Sequence, residues 1–206
     1  PALARGFISC QGLRIGVCGT AIVQNGAAQG FRHYSSLAIR VFRECRGICD
    51  GLLRELGDPD KADLLLLSPP GGGKTTALRE LIRCISNRGR RVGVVDERWE
   101  IAGSESGQAQ FDLGAHCDVI SGLPKAQGAM MLLRGMNPQL VAVDEITQKE
   151  DITAIREIIG CGVRLLATAH ASCAVWRSSP PASAWRPVCA AVSATSFVAW
   201  RICMQA

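Results

Sequence analysis

The chain has 206 residues, 48% of them apolar, and a formal net charge of +5. That length is enough to bury a sizeable core in one main domain with room for a small appendage, and the composition is that of a globular protein. The longest apolar run falls far short of the roughly 20 residues a membrane span needs, and the modest positive charge comes without a basic tract, which argues against a spanning helix and a nucleic-acid binder.

Ten cysteines are scattered along the chain without a Cys-x-x-Cys pair or a histidine at ligand spacing. That spacing supports neither a disulfide framework nor a zinc site, so most cysteines are expected as small buried hydrophobes. No charged-then-apolar leader is visible, and the expectation is a cytoplasmic chain. The first residue is Pro1 rather than Met, and the chain is expected to begin inside a longer protein.

Residues 1–41 read as a β-rich segment. Short alternating apolar stretches occupy 6–12 and 14–23, Asn25-Gly26 is a turn signal, and Gly16 and Gly19 mark bulges or close backbone contacts. Leu37, Ile39 and Val41 alternate as in a further short strand. Phe42, Cys45, Ile48, Cys49, Leu52, Leu53 and Leu56 then fall at helical spacing, which predicts an amphipathic linker helix over 42–56 within a connecting segment, 42–60. Gly57-Asp58-Pro59 stops it.

The core follows, over residues 61–171. The apolar run Leu64-Leu65-Leu66-Leu67 leads into Ser68-Pro69-Pro70-Gly71-Gly72-Gly73-Lys74-Thr75-Thr76, a strand, a glycine-rich turn and a helix opening at Lys74. This is the layout of a phosphate-binding loop running from Pro70 through Thr76, with the backbone N–H groups of Gly71 onward and a helix N-terminus facing a polyphosphate. Gly71, Gly72 and Gly73 allow the positive-φ conformations and close approach of such a cradle. Lys74 is then the β/γ-phosphate ligand and Thr75 a Mg²⁺ ligand. Ser68 stands where the pattern asks for glycine.

Ala77, Leu78, Leu81, Ile82 and Ile85 form one helical face, ending near Asn87-Arg88-Gly89; the cluster Arg88-Gly89-Arg90-Arg91 reads as a solvated helix end. Val92-Gly93-Val94-Val95 is a buried strand ending in Asp96-Glu97-Arg98, and the polar stretch 102–114 is expected as a loop near the site. Val119-Ile120 is a short strand, a helix begins at Pro124, Leu140-Val141-Ala142-Val143 is a third core strand, a helix covers about 148–159, and 163–169 is a fourth. Alternating helices and continuously apolar strands predict an α/β fold whose mostly parallel sheet is covered on both faces.

Ligands bind at the carboxyl ends of such strands. Asp144-Glu145 follows a strand directly. Downstream of Gly-Lys-Thr it reads as a metal-holding Asp144 and a water-polarising Glu145; alone, the pair could simply cap the next helix. Glu97 is a second acid placed to orient water or metal, with Arg98 as its possible ion-pair partner. Thr168 or His170, in Thr168-Ala169-His170, is a candidate γ-phosphate sensor. Arg134 is a further candidate, reading phosphate or a neighbouring subunit. No Asn-Lys-x-Asp guanine-reading element occurs, so ATP is the expected nucleotide.

After Glu157 no acidic residue occurs, and 172–206 form an atypical tail in which Trp176, Trp185 and Trp200 stand beside Pro180-Pro181. A terminal helix carries charge on its wet face. The loss of acids points to a shifted reading frame, which translation of the other two frames would test.

Residues 64–76, Val94 to Arg98 with Glu100-Ile101-Ala102-Gly103, Pro124-Lys125-Ala126 with Gly128 and Met130-Met131-Leu132-Leu133-Arg134, residues 141–146 and Thr168-Ala169-His170 together resemble the stage III sporulation protein AA family. The resemblance runs from about residue 6 to residue 171. It implies a RecA-like P-loop NTPase core, similar to the ATPases of type II and type IV secretion systems. It also implies ATP and Mg²⁺, hexamers formed by self-association, membrane channel proteins of the sporulation complex as partners, and a place in the cytoplasm, peripheral at the mother-cell membrane facing the forespore. Arginines from a β-rich N-terminal domain would complete the site between subunits. Two readings compete with that motor: a P-loop protein for single-stranded nucleic acid, and a nucleotide-dependent assembly scaffold with little turnover. No Arg-x-x-x-His element or RNP-like aromatic cluster supports the first, and Lys74, Asp144 and Glu145 together argue against the second.

Overall fold

The computed structural model describes residues 6–10, 12–56 and 63–170, and the backbone of 197–201. The described residues divide into two compact units. One runs up to Glu44 and takes in Gly103–Phe111; the other runs from Cys45 to Ala102 and from Asp112 onward.

The first unit is an antiparallel sheet in the order β1-β2-β3, with β1 at Phe7–Cys10, β2 at Leu13–Gln24 and β3 at Ala27–Val41. Gln24 pairs with Ala27 across Asn25 (φ 51) and Gly26 (φ 76), the left-handed pair that a two-residue hairpin matching strand twist requires. Leu37, Ile39 and Val41 belong to this same long strand and are not a separate one. The register shifts at Gly19, where a Cβ would lie 2.9 Å from the Arg32 carbonyl oxygen. Gly16 sits in regular pairing, its nearest neighbour the Ala38 Cβ at an ordinary 3.7 Å. Phe111 packs edge-on against Phe42, with ring centroids 6.3 Å apart, and against Gly12. The middle of the stretch expected as a loop beside the site is therefore part of this sheet unit, anchored by an apolar residue within a polar segment.

The second unit carries α1 (Asp50–Leu56), β4 (Asp63–Ser68), α2 (Lys74–Asn87), β5 (Val92–Asp96), β6 (Cys117–Ser121), α3 (Lys125–Gly135), β7 (Leu140–Val143), α4 (Lys149–Gly160), β8 (Arg164–His170) and β9 (Phe197–Arg201). The linker helix expected over 42–56 is only the seven residues of α1, about two turns. Gly47 at φ 78 breaks the helical path, and its N–H donates to Glu80 Oε1 at 2.7 Å. The strands form one sheet in the order β6-β5-β7-β8-β4-β9, every pair parallel. β9 was not expected: four apolar residues followed by Arg201 are too few to show periodicity. The remaining tail expectation lies outside the described residues.

Successive residues of a strand face opposite sides, and both sides are covered here. Leu64, Leu66, Val92, Val94 and Ala142 meet Leu78, Leu81, Ile82 and Ile85 of α2 and Leu53 of α1. Leu65, Val95, Val141, Val143 and Leu165 meet Ala129 and Leu132 of α3 and Ile155 and Ile158 of α4. That is why these strands read as unbroken apolar runs. Asp63, buried at the start of β4, accepts the Leu165 N–H at 2.9 Å and fixes β4 against β8 at the end away from the phosphate loop. Most described cysteines are not buried: only Cys49 is, its thiol on the Ala77 carbonyl at 3.4 Å, and burial pushes its pKa up to about 12. Cys18, Cys45 and Cys161 are exposed. Among the described residues no helix is long and apolar enough to cross a membrane.

Candidate nucleotide-binding site

A parallel sheet brings the carboxyl ends of its strands to one edge, and β8 lies between β4 and β7. The glycine-rich loop after β4, Thr168 and His170 on β8, Asp144-Glu145 after β7 and Glu97-Arg98 after β5 therefore line up there. The loop has the conformation its glycines allow. Gly71 and Gly73 sit at φ 77 and 78, and no side chain caps the N-terminus of α2. The first N–H groups of α2, from Lys74 to Thr76, have no partner within the helix and carry the positive end of its dipole. Pro70 and Gly71 are exposed on the outer turn.

Ser68 is accommodated because Gly72 lacks a side chain. A Cβ on residue 72 would stand 2.3 Å from Ser68 Oγ and 3.1 Å from the Pro69 carbonyl oxygen. The serine tucks under the loop, buried, with its hydroxyl on Pro69 O at 3.1 Å. The departure from the motif is thus absorbed inside the motif.

The Lys74 ammonium donates to Ser68 O and Pro69 O, both at 3.0 Å, and lies 2.9 Å from His170 Nδ1. Burial pushes its pKa below the usual lysine value, opposed by the Asp144 and Glu145 carboxylates. An ammonium only donates, so His170 Nδ1 accepts. That leaves Nε2–H to donate to Glu145 Oε1, 2.6 Å away. The other Glu145 oxygen is held by Arg98. Glu145 sits at φ 50, a left-handed conformation that costs a β-carbon residue free energy and clusters at functional sites. Its own N–H donates to Thr168 Oγ1 at 2.8 Å, and Thr168 in turn bonds Asp144 Oδ1. Thr75 Oγ1 donates to the second Asp144 oxygen at 2.9 Å.

Lys74, Thr75, Asp144, Glu145, Thr168 and His170 are thereby brought into one connected network. Arg98 joins it, as partner of Glu145 rather than of Glu97. Glu97 instead accepts from Lys125 Nζ at 2.7 Å, and both line a cleft with Arg98, Glu100, Asp144 and Glu145. Asp96 is buried and builds the turn that carries Glu97 and Arg98, its carboxylate accepting the N–H groups of Glu100, Ile101 and Ala102 at 2.8–3.2 Å.

Arg134 is not at this edge. It lies in the last turn of α3, which runs back from the end of β6 to the start of β7 and so reaches the opposite edge of the sheet. Lys125 was missed from the sequence. Its signal was a cation as the first residue of a helix, where the dipole disfavours one.

The residues fit a polyphosphate with a divalent cation: a cradle with no room for a Cβ at 72, a buried ammonium, and a hydroxyl–carboxylate pair of hard oxygen donors in Thr75 and Asp144. Solved structures share the fold. The Legionella pneumophila ATPase DotB is 18% identical with a TM-score of 0.55, covering 87% of this chain and 46% of its own. The pilus retraction motor PilT with bound ADP is 17% identical with a TM-score of 0.51, covering 81% and 46%. The core is accordingly a RecA-like α/β fold preceded by a small antiparallel sheet. Among sequences, the stage III sporulation protein AA of Bacillus subtilis (strain 168) is 39% identical over 175 residues, 82% of this chain. This chain spans 57% of that relative's length. An uncharacterized protein ycf45 of Porphyra purpurea is 36% identical over 121 residues, 57% of this chain and 20% of its own. The profile of the family described as sporulation stage III, protein AA matches residues 1–182, and the chain belongs to that family.

Proposed function

We propose that this chain binds ATP with Mg²⁺ and hydrolyses it, as the ATPase of a sporulation channel complex. One observation carries the reading: a continuous set of hydrogen bonds joins the phosphate-loop lysine through His170 to Glu145, and the phosphate-loop threonine to Asp144. Phosphoryl transfer asks the protein for placed charge and an oriented nucleophile, and little covalent chemistry.

In this reading Pro70 through Thr76 wrap the phosphates, with Gly71 through Thr76 supplying the backbone N–H groups, and Lys74 turns its ammonium from loop carbonyls to phosphate oxygens. Thr75 and Asp144 hold the Mg²⁺, which neutralises phosphate charge when bound. Glu145, fixed at both oxygens by Arg98 and His170, orients a water molecule and takes its proton. The water oxygen bonds the γ-phosphorus as the bond to ADP breaks, giving ADP and inorganic phosphate. Glu97 is a second carboxylate facing the same cleft. His170 touches both Lys74 and Glu145, so it senses the γ-phosphate by losing or keeping its lysine partner.

The motor is expected to self-associate and to dock on membrane channel proteins; fold neighbours named as an ATPase and as a pilus retraction motor support the motor reading, and among the described residues no helix is long and apolar enough to cross a membrane. The test is ATPase rate with native mass. Turnover is expected to require Mg²⁺, to accompany ATP-dependent self-association, and to be indifferent to added single-stranded DNA. Lys74→Ala and Glu145→Gln should each abolish it; wild-type turnover in Glu145→Gln would remove Glu145 from its role.

A further inference from the structure

The hydrolysis reading gives the cleft two working carboxylates, Glu97 after β5 and Glu145 after β7. Both stand on turns rather than inside strands, so something must hold the turns at a fixed separation. Lys125 is the group placed to do so. It is 6% exposed, a burial that lysine tolerates only when paired. Its Nζ lies 2.7 Å from Glu97 Oε2 and 3.6 Å from Asp151 Oδ2. The same Asp151 oxygen accepts the N–H groups of Thr147 and Gln148, each at 3.0 Å. Those residues continue the turn that begins at Asp144-Glu145.

The placement does nothing for the helix that bears it. A cation at the first residue of α3 faces the positive end of the helix dipole, and burial adds a desolvation cost. Both costs are offset by the two carboxylates, Glu97 on the turn after β5 and Asp151 in the first turn of α4. We propose that Lys125 is a positioning residue: it ties the Glu97 turn to the turn carrying Glu145 through Asp151, and so sets the spacing of the two carboxylates across the cleft. This rests on the hydrolysis reading above for its consequence, but not for the tie itself.

Two measurements on the full chain test it. The first is steady-state ATP hydrolysis by Lys125→Met, Lys125→Arg and Glu97→Gln. Misplacing a reacting group by about an ångström costs roughly a hundredfold. Lys125→Met is therefore expected to lose on the order of a hundredfold in kcat while KM for ATP moves by less than about threefold. Lys125→Arg, which keeps the charge, should recover most of the loss. Glu97→Gln combined with Lys125→Met should be less slow than the product of the two single losses. The second measurement is amide hydrogen exchange without nucleotide, where Lys125→Met should speed exchange at Thr147 and Gln148 and leave the β4 and α2 amides protected.

Wild-type kcat in Lys125→Met would overturn the proposal. So would exchange that rises throughout the chain, since Lys125 would then support the fold and not the spacing. Should the wild-type chain hydrolyse no ATP, the hydrolysis reading falls while the exchange result still decides the tie: faster exchange confined to 147–148 sustains it, and unchanged exchange there ends it.

Discussion

The two sheets of this molecule are built from similar amino acids and treated very differently by the fold. In the core sheet Leu64, Leu66, Val94, Val141, Ala142 and Leu166 are buried, with helices on both faces. In the N-terminal sheet Val23, Tyr34, Leu37, Ile39 and Val41 are each 58–63% exposed. Leu13, Ile15 and Val17 pair with Val41, Ile39 and Leu37, so an apolar row crosses both strands, yet only its β2 side is substantially covered. A strand pattern therefore tells which residues share a face, and nothing about how completely that face is covered. Continuous apolar runs demand cover on both sides, and the helices between the core strands supply it from the same chain. The alternating run of β3 demands it on one.

The contrast can be broken in order of effect. Leu81→Ala, in the fully buried face of α2, removes contacts to the central strands and should cost about 2–5 kcal/mol in denaturant unfolding. A loss below about 1 kcal/mol would mean the core packs less tightly than its burial implies. Gly72→Ala drives a Cβ into Ser68 and should weaken nucleotide binding by about 1–3 kcal/mol in a titration. Adding Ser68→Gly removes the serine contacts and should restore most of it; no recovery would place the clash at Pro69 O instead.

Glu80→Gln sharpens the comparison at the point where α2 is tied to the turn before α1. The Arg83 guanidinium holds the Glu80 carboxyl down at about 2, with the Gly47 N–H adding to the effect. A carboxyl with a lowered folded value stabilises fully above its ordinary value near 4.5 and loses that contribution as pH falls toward about 2. The variant should be about 1–2 kcal/mol less stable at neutral pH, and the gap should close on acidification. A gap independent of pH would assign the loss to packing. Ile39→Thr, in the exposed row of β3, should change stability by no more than about 0.5 kcal/mol. A larger loss would show that the row is covered in solution.

Much of the site was legible in the sequence because its signals are local. Gly-Lys-Thr after an apolar strand, Asp144-Glu145 after another and His170 at the end of a third each lie within a few residues of the element that positions them. The partners were less legible. Arg98 is one residue from Glu97 in sequence, but the turn built by Asp96 sends it to Glu145. Arg134, before Gly135-Met136-Asn137-Pro138, was a candidate for reading phosphate or a neighbouring subunit, and a helix between parallel strands returns its end to the edge away from the loop. The linker helix was overread because apolar spacing continued across Gly47, whose backbone does not.

By itself the sequence determined most of the core strands and helices, the two-sided burial of those strands and the candidate loop and acidic residues at their ends. These follow from periodicity, glycine stereochemistry and the chemistry that phosphate demands, all read within short windows. Only the tertiary structure decided that β8 stands between β4 and β7. That order places His170 between Lys74 and Glu145 and Thr168 beside Asp144, while the neighbouring β6-β5-β7 order brings Lys125 to Glu97 and Asp151. Strand order is set by how distant segments share one core, and no window of a few residues contains it.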